Sequence, residues 1–271
     1  MHRRTVIASV LAAPFVSRRA HAADLFHRDV GRGQPIVFIH GWTLSSEIWS
    51  LQLDWLAAQG MRAVAYDRRG HGRSPKPDSA YDFDTLADDL AGLLDRLDLQ
   101  QVMLVGHSMG AGEVVRYIAR HGGKRIARVM LVAPTTPEPL APAITDKLVS
   151  ALGADREGYL AAGAPGLLGR NAEPELVEWA LSIALQAAPQ AQIACMRAFA
   201  STDFRPDMKA VTQPTLIVYG SGDAPVAALN AQRTHAAIAG SRLEIYQGAP
   251  HALFLTDTER FNRDLLQFAR S

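Results

Sequence analysis

Ser108 stands in Gly106-His107-Ser108-Met109-Gly110, between the apolar run Val102-Met103-Leu104-Val105 and the helical stretch Glu113-Val114-Val115-Arg116-Tyr117-Ile118-Ala119. This is a G-x-S-x-G pattern in its required setting, in which a serine sits on a sharp turn from strand to helix with its hydroxyl exposed as a nucleophile. The flanking glycines have a steric reason, because a Cβ beside so tight a turn collides with backbone, and the turn drives the serine toward positive φ. The helix that follows aims its free N–H groups and positive dipole end at an oxyanion forming near the serine.

A hydroxyl is a poor nucleophile at neutral pH and needs a base within hydrogen-bond reach, itself oriented by a third group. Asp223, in Gly220-Ser221-Gly222-Asp223, and His251, in Gln247-Gly248-Ala249-Pro250-His251, each follow an apolar run. No acid stands directly after Ala133, where Pro134 and Thr135 follow instead, so Asp223 is the candidate carboxylate. The other histidines fit poorer roles. His71, in Arg68-Arg69-Gly70-His71-Gly72-Arg73-Ser74, reads as structural, and His40 as a brace for loop backbone. His107 reads as a packing or tuning neighbour whose side chain turns away from Ser108, and His121 and His235 as exposed helix residues. For the oxyanion, the backbone N–H of Met109 follows the nucleophile directly, and that of Trp42, in His40-Gly41-Trp42, is the second candidate. The Trp42 indole either walls an acyl pocket or packs as plain core.

These residues need a scaffold that gathers them. Apolar runs at 35–40, 62–66, 102–105, 128–133, 215–219 and 242–246 alternate with helical periodicity, and residues 25–28 read as a short edge strand. Leu86, Leu90, Leu93, Leu94 and Leu97, for example, recur at helical spacing. Strands alternating with helices predict an α/β fold with a mainly parallel sheet flanked by helices, whose ligands bind beyond the carboxyl ends of the strands. Ser108, Asp223, His251 and Trp42 all lie just after such ends. Residues 135–212 break the alternation with Pro- and Ala-rich helical segments, predicting an inserted helical cap on a core formed by 23–134 and 213–271. In that cap Leu167, Trp179, Ile183, Phe199 and Phe204 read either as walls of an apolar acyl pocket or as core.

The first 22 residues differ in kind. His2-Arg3-Arg4, a short apolar run over 5–16 and Ala20-His21-Ala22 before Ala23 have the architecture of a secretory signal peptide. The Arg3-Arg4 pair resembles a twin-arginine export signal, and export to the periplasm or medium is the expected destination. A first amphipathic helix of the mature fold is the alternative. The 271 residues carry 28 Lys and Arg against 27 Asp and Glu. The leader holds four arginines and no acid, leaving 24 basic against 27 acidic residues in the rest, a net of −3. No basic patch with interleaved aromatics remains, which argues against a nucleic-acid partner. No run is long and apolar enough to span a bilayer. The single Cys195 excludes an internal disulfide and reads as buried.

The order Ser…Asp…His, together with longer matches, resembles the α/β-hydrolases of the cofactor-free haloperoxidase, arylesterase and perhydrolase group. The resemblance is carried by Gly33-Gln34-Pro35, His40-Gly41-Trp42, Tyr66-Asp67-Arg68-Arg69-Gly70-His71-Gly72-Arg73-Ser74 and the elbow. Arg116-Tyr117-Ile118-Ala119-Arg120-His121-Gly122, Asp203-Phe204-Arg205-Pro206-Asp207-Met208 and Gly248-Ala249-Pro250-His251 extend it. It implies a serine hydrolase of small carboxylic esters with no cofactor and no metal. The alternatives are a perhydrolase or haloperoxidase using hydrogen peroxide, and a catalytically silent exported binding protein. Ser at position 108 excludes an Asp-nucleophile dehalogenase or epoxide hydrolase. Three departures stand out. The strand preceding residues 26–28 in that group is missing, Thr43 follows Trp42 where peracid-forming members often carry Pro, and Ala224-Pro225-Val226 follows Asp223.

Overall fold

The chain forms one seven-stranded sheet, seen here in a computed structural model that describes residues 24–135 and 137–271. The expected signal peptide lies outside the described residues. The strands are β1 (His27–Gly31), β2 (Pro35–Ile39), β3 (Arg62–Tyr66), β4 (Val102–His107), β5 (Ile126–Val132), β6 (Thr215–Gly220) and β7 (Arg242–Tyr246), in the order β1-β3-β2-β4-β5-β6-β7. Every pairing is parallel except β1 with β3. Parallel strands covered on both faces read as continuous apolar runs, and β2, β4 and β6 are buried at every position.

The pleat divides each run between two cores. Val37, Ile39, Leu104 and Val114 belong to one, under α2 (Phe83–Arg96) and α3 (Met109–His121). Ile36, Phe38, Val105 and Leu265 belong to the other, under α1 (Ser50–Ala58) and the last helix, Thr258–Arg270. The leucine periodicity was a sound guide to α2, which starts three residues before Leu86 because Asp82 caps it, its Oδ1 accepting the Thr85 N–H at 2.9 Å.

The first strand differs from its expected place at 25–28. It runs over His27–Gly31 and pairs His27 with Tyr66 and Gly31 with Arg62. Leu25 is buried in the core instead of pairing. An edge strand of sequence His-Arg-Asp-Val-Gly carries no apolar alternation from which its limits could be read. Among the described residues no strand precedes it.

Between β5 and β6 the chain passes through α4 (Pro142–Ala154), α5 (Arg156–Leu168), α6 (Pro174–Leu185), α7 (Pro189–Ser201) and the short α8 (Arg205–Met208). Pro at the first turn of α4, α6, α7 and α8 suits a position whose N–H has no helical partner. After β6 come α9 (Pro225–Ala237), β7, α10 (Leu253–Thr256) and α11 (Thr258–Arg270).

Candidate active site

Ser108 leaves β4 with φ 54° and ψ −118°, a conformation L-residues rarely adopt. Its N–H donates to Val132 O at 2.9 Å and its carbonyl accepts from Ala111 at 3.0 Å, so the strained turn is held by the neighbouring strand and by α3. The two flanking glycines are obligatory. A Cβ at Gly106 would lie 2.5 Å from Gly110 O, and one at Gly110 would lie 2.5 Å from Ile39 O. Met109 opens α3, where the first backbone N–H groups have no partner in the helix.

The loops after β6 and β7 are laid together backbone on backbone. Ser221 N–H donates to Tyr246 O and Gly222 N–H to Ala249 O, both at 2.9 Å. A Cβ on Gly222 would sit 2.4 Å from Gly248 O, so glycine permits the approach. This contact delivers Asp223 Oδ2 to 2.5 Å from His251 Nδ1, across 28 residues of sequence. The Asp223 side chain is 6% exposed and that of His251 25%. The other carboxylate oxygen of Asp223 accepts the Ala224 N–H at 2.6 Å, at the head of α9. The main chain of His251 is also fixed. Its N–H donates to Gly166 O at 3.4 Å, and its carbonyl accepts from His107 Nε2 at 3.2 Å.

His251, Ser108 and Trp42 line one cavity of about 180 Å³. Gly41 brings the loop after β2 against the elbow, since a Cβ there would stand 3.3 Å from Ser108 Cβ and 2.8 Å from His107 Nδ1. The Trp42 indole donates to Gln192 O at 2.9 Å and meets the Tyr159 ring edge-on, so it forms wall at the joint with the insertion. Thr43, next in the loop, has φ 66°.

The histidines divide as their burial dictates. His40 takes the Arg68 N–H on Nε2 at 2.9 Å, so its Nδ1 carries the proton and donates to Gly41 O at 2.8 Å. Burial and the Arg68 charge keep its pKa well below the usual imidazole value. His71 is fully buried, bonded to Arg69 O, and pushed down to about 3, first by burial and then by Arg68. His107, expected to turn away from Ser108, is in the cavity wall, packed on Trp49 and Phe254. Burial, then the neighbouring His251, lowers its pKa well below the ordinary value. His121 and His235 are exposed on α3 and α9. Cys195 is buried, which pushes its thiol up to about 12 and leaves it unreactive. Among the described residues no three His, Cys, Asp or Glu side chains are grouped to hold a metal.

Of the five cap residues considered for the acyl pocket, only Leu167 lines the cavity. Ile183 and Phe204 are fully buried core, Phe204 crossing Phe83 at 4.7 Å. Phe199 packs on the same core as Phe204, and Trp179 packs on the other while its indole N–H reaches Glu47 at 3.3 Å. The true walls include Leu160, Gly163, Ala164 and Leu167 of α5, with Ala180 and Ala184 of α6. Their i, i+3, i+4, i+7 spacing on α5 marks one helix face and was readable. What that face meets was not, because it depends on how α5 is set against the distant loops that carry Ser108 and His251.

The chain is similar to known proteins over most of its length. The chain is 37% identical over 266 residues to a non-heme chloroperoxidase of Kitasatospora aureofaciens, covering 90% of this chain and 95% of that protein. It is 33% identical over 267 residues to a bifunctional esterase/perhydrolase of Acinetobacter calcoaceticus, covering 92% and 96%. The family model for the alpha/beta hydrolase fold matches residues 34–258. The chain is an α/β-hydrolase of the cofactor-free haloperoxidase group. Among solved hydrolases, an esterase from Exiguobacterium antarcticum superimposes with a TM-score of 0.89 at 28% identity, covering 92% of this hydrolase and 98% of that chain.

Proposed function

We propose that this hydrolase cleaves small carboxylic esters through an acyl-enzyme on Ser108. The observation that carries the reading is the 2.5 Å contact of Asp223 with His251 Nδ1, on a histidine that shares its cavity with Ser108. In this mechanism His251 Nε2 takes the Ser108 proton as the hydroxyl oxygen attacks the ester carbonyl. Asp223 fixes the imidazole tautomer and stabilises the imidazolium. Trp42 and Met109 donate their main-chain N–H groups to the tetrahedral oxyanion, and loss of one such donor costs about 3–4 kcal/mol. His251 then protonates the departing alkoxide, and water, activated by the same imidazole, releases the acid and regenerates Ser108. The walls are apolar, which suits an uncharged acyl group, and helices α4–α8 serve as the cap over it.

Peroxide in place of water gives the perhydrolase reading, and one relative carries both names. Thr43 bears on the choice. Proline holds φ near −65°, so a loop with φ 66° at this position is not the loop of a Pro-bearing peracid former. That supports hydrolysis as the main reaction. Halogenation of an acceptor in peroxide, measured with and without added carboxylate, separates the two, because peracid formation needs the acid.

Ser108→Ala is expected to abolish turnover of small aryl esters with the fold intact, and undiminished hydrolysis would sink the proposal. Failure of wild-type Ser108 to react with a fluorophosphonate would support a silent binding protein instead. The chain is further proposed to be exported with residues 1–22 removed. A mature protein beginning at Ala23 in the periplasm or medium is the expected result, and retention of Met1 in the cytoplasm speaks against it.

A further inference from the structure

Beneath the loop that carries Trp42 lies a buried ion pair with no part in the mechanism above. Arg68 Nε donates to Glu113 Oε2 at 2.8 Å, with the two side chains 1% and 0% exposed. The Tyr66 hydroxyl donates to the other carboxylate oxygen. On its far side the guanidinium grips main chain, with Nη2 donating to His40 O at 2.8 Å and Nη1 reaching Gly41 O at 3.5 Å. His40 Nδ1 donates to that same Gly41 carbonyl at 2.8 Å, while its Nε2 is held by the Arg68 N–H.

Stability alone is a poor reason for such a pair. Taking two charges out of water costs several kcal/mol per ion, and apolar replacements of similar volume are often neutral or stabilising. The location is informative. The peptide bonds of the described residues are trans, so in the planar Gly41–Trp42 unit the carbonyl and the Trp42 N–H point in opposite directions. Fixing Gly41 O from the Arg68 and His40 side aims the Trp42 N–H the other way. The next residue, Thr43, has φ 66°, so the loop is strained and would relax unless held. Glu113, five residues after Ser108, rides on the helix whose first N–H is that of Met109.

We propose that Glu113, acting through Arg68, is a positioning residue for the oxyanion site, holding the Trp42 N–H in register with the Met109 N–H. The inference rests on the ester-hydrolase reading. One charge pair references both donors to a common point, the loop after β2 through Arg68 and the nucleophile helix through Glu113. Tyr66 and His40 complete the bonding so that the carboxylate and the imidazole are each held from two sides.

The test compares wild-type enzyme with Glu113→Gln and with an apolar replacement, Arg68→Met/Glu113→Leu in a Tyr66→Phe background that leaves no orphaned hydroxyl. A small aryl ester is the substrate and an aryl trifluoromethyl ketone the probe of the tetrahedral state. In whichever variant folds, kcat is expected to fall roughly tenfold to a hundredfold, as for a small misplacement of reacting groups, with KM within about twofold. Affinity for the ketone should fall by the same factor as kcat, while the thermal midpoint of the apolar variant is maintained or raised. A folded variant with full kcat and full ketone affinity overturns the inference, as does a loss of kcat that only follows lost thermal stability. An inert wild-type enzyme would instead overturn the ester-hydrolase reading on which it rests.

Discussion

Gly41 is the residue on which the spacing of the site turns. It brings the loop after β2 so close to the elbow that a single added methyl group would meet His107 Nδ1 at 2.8 Å and Ser108 Cβ at 3.3 Å. Gly41→Ala is therefore expected to displace the loop bearing Trp42 and to lower kcat for small esters roughly tenfold to a hundredfold, since catalytic groups tolerate about an ångström or less of misplacement. Adding His107→Ala removes the imidazole that the methyl strikes, and part of the activity should return. The return is only partial because His107 also holds the His251 carbonyl. Steady-state rates of the single and double variants decide the point, and a fully active Gly41→Ala would refute it.

At the scale of elements, α5 ties the segment between β5 and β6 to the loop that carries His251. The carbonyls of Gly166 and Leu167, in the last turn where a helix leaves such groups without helical partners, accept the N–H groups of His251 and Ala252. The negative end of the α5 dipole thus faces the histidine loop, which favours a cation forming on His251. The same helix lines the cavity that Ser108 and His251 share. Gly163 lines the cavity, and a Cβ added to it meets no heavy atom within 4 Å. Gly163→Leu should fit and fill part of the 180 Å³ space. Turnover of hexanoyl esters is expected to fall at least about tenfold relative to acetyl esters, while stability rises by about 0.5–1 kcal/mol because glycine is a poor interior helix residue. An unchanged ratio of the two esters would mean that the acyl chain lies elsewhere.

The whole molecule carries a pH signature in its buried histidines. His40, His71 and His107 have pKa values held below the ordinary value, His71 at about 3. In the unfolded chain each titrates near about 6.5. Below that pH the unfolded state binds more protons, so the stability they leave intact above it is lost as pH falls toward the folded values. The slope is about 1.4 kcal/mol per pH unit for each such histidine once its unfolded form is protonated. The urea midpoint should be lower at pH 5 than at pH 7.5, and His71→Asn should narrow the gap. Equal midpoints at the two pH values would count against this assignment.

What the sequence by itself determined are the features that a short stretch of backbone imposes. The two glycines around Ser108 follow from a turn with no room for a Cβ, and continuous apolar runs follow from strands covered on both faces. The order of Ser108, Asp223 and His251 follows from strands whose carboxyl ends share one edge. Edge strand β1, polar and one-sided, left little trace in the pattern, and its limits were misplaced. The tertiary structure alone decided which distant groups meet. Asp223 and His251 touch because two glycine-bearing loops pack backbone to backbone, and Arg68 finds Glu113 45 residues away because its side chain, like that of Tyr66 at the end of β3, reaches across to α3. It also decided which residues of α5 and α6 surround the empty space, Tyr159, Leu160 and Leu167 beside Gly163, Ala164, Ala180 and Ala184, while Phe199 and Phe204 pack into the core. Local sterics are written in neighbouring residue types, whereas contact across a core depends on how all the elements fill the same volume.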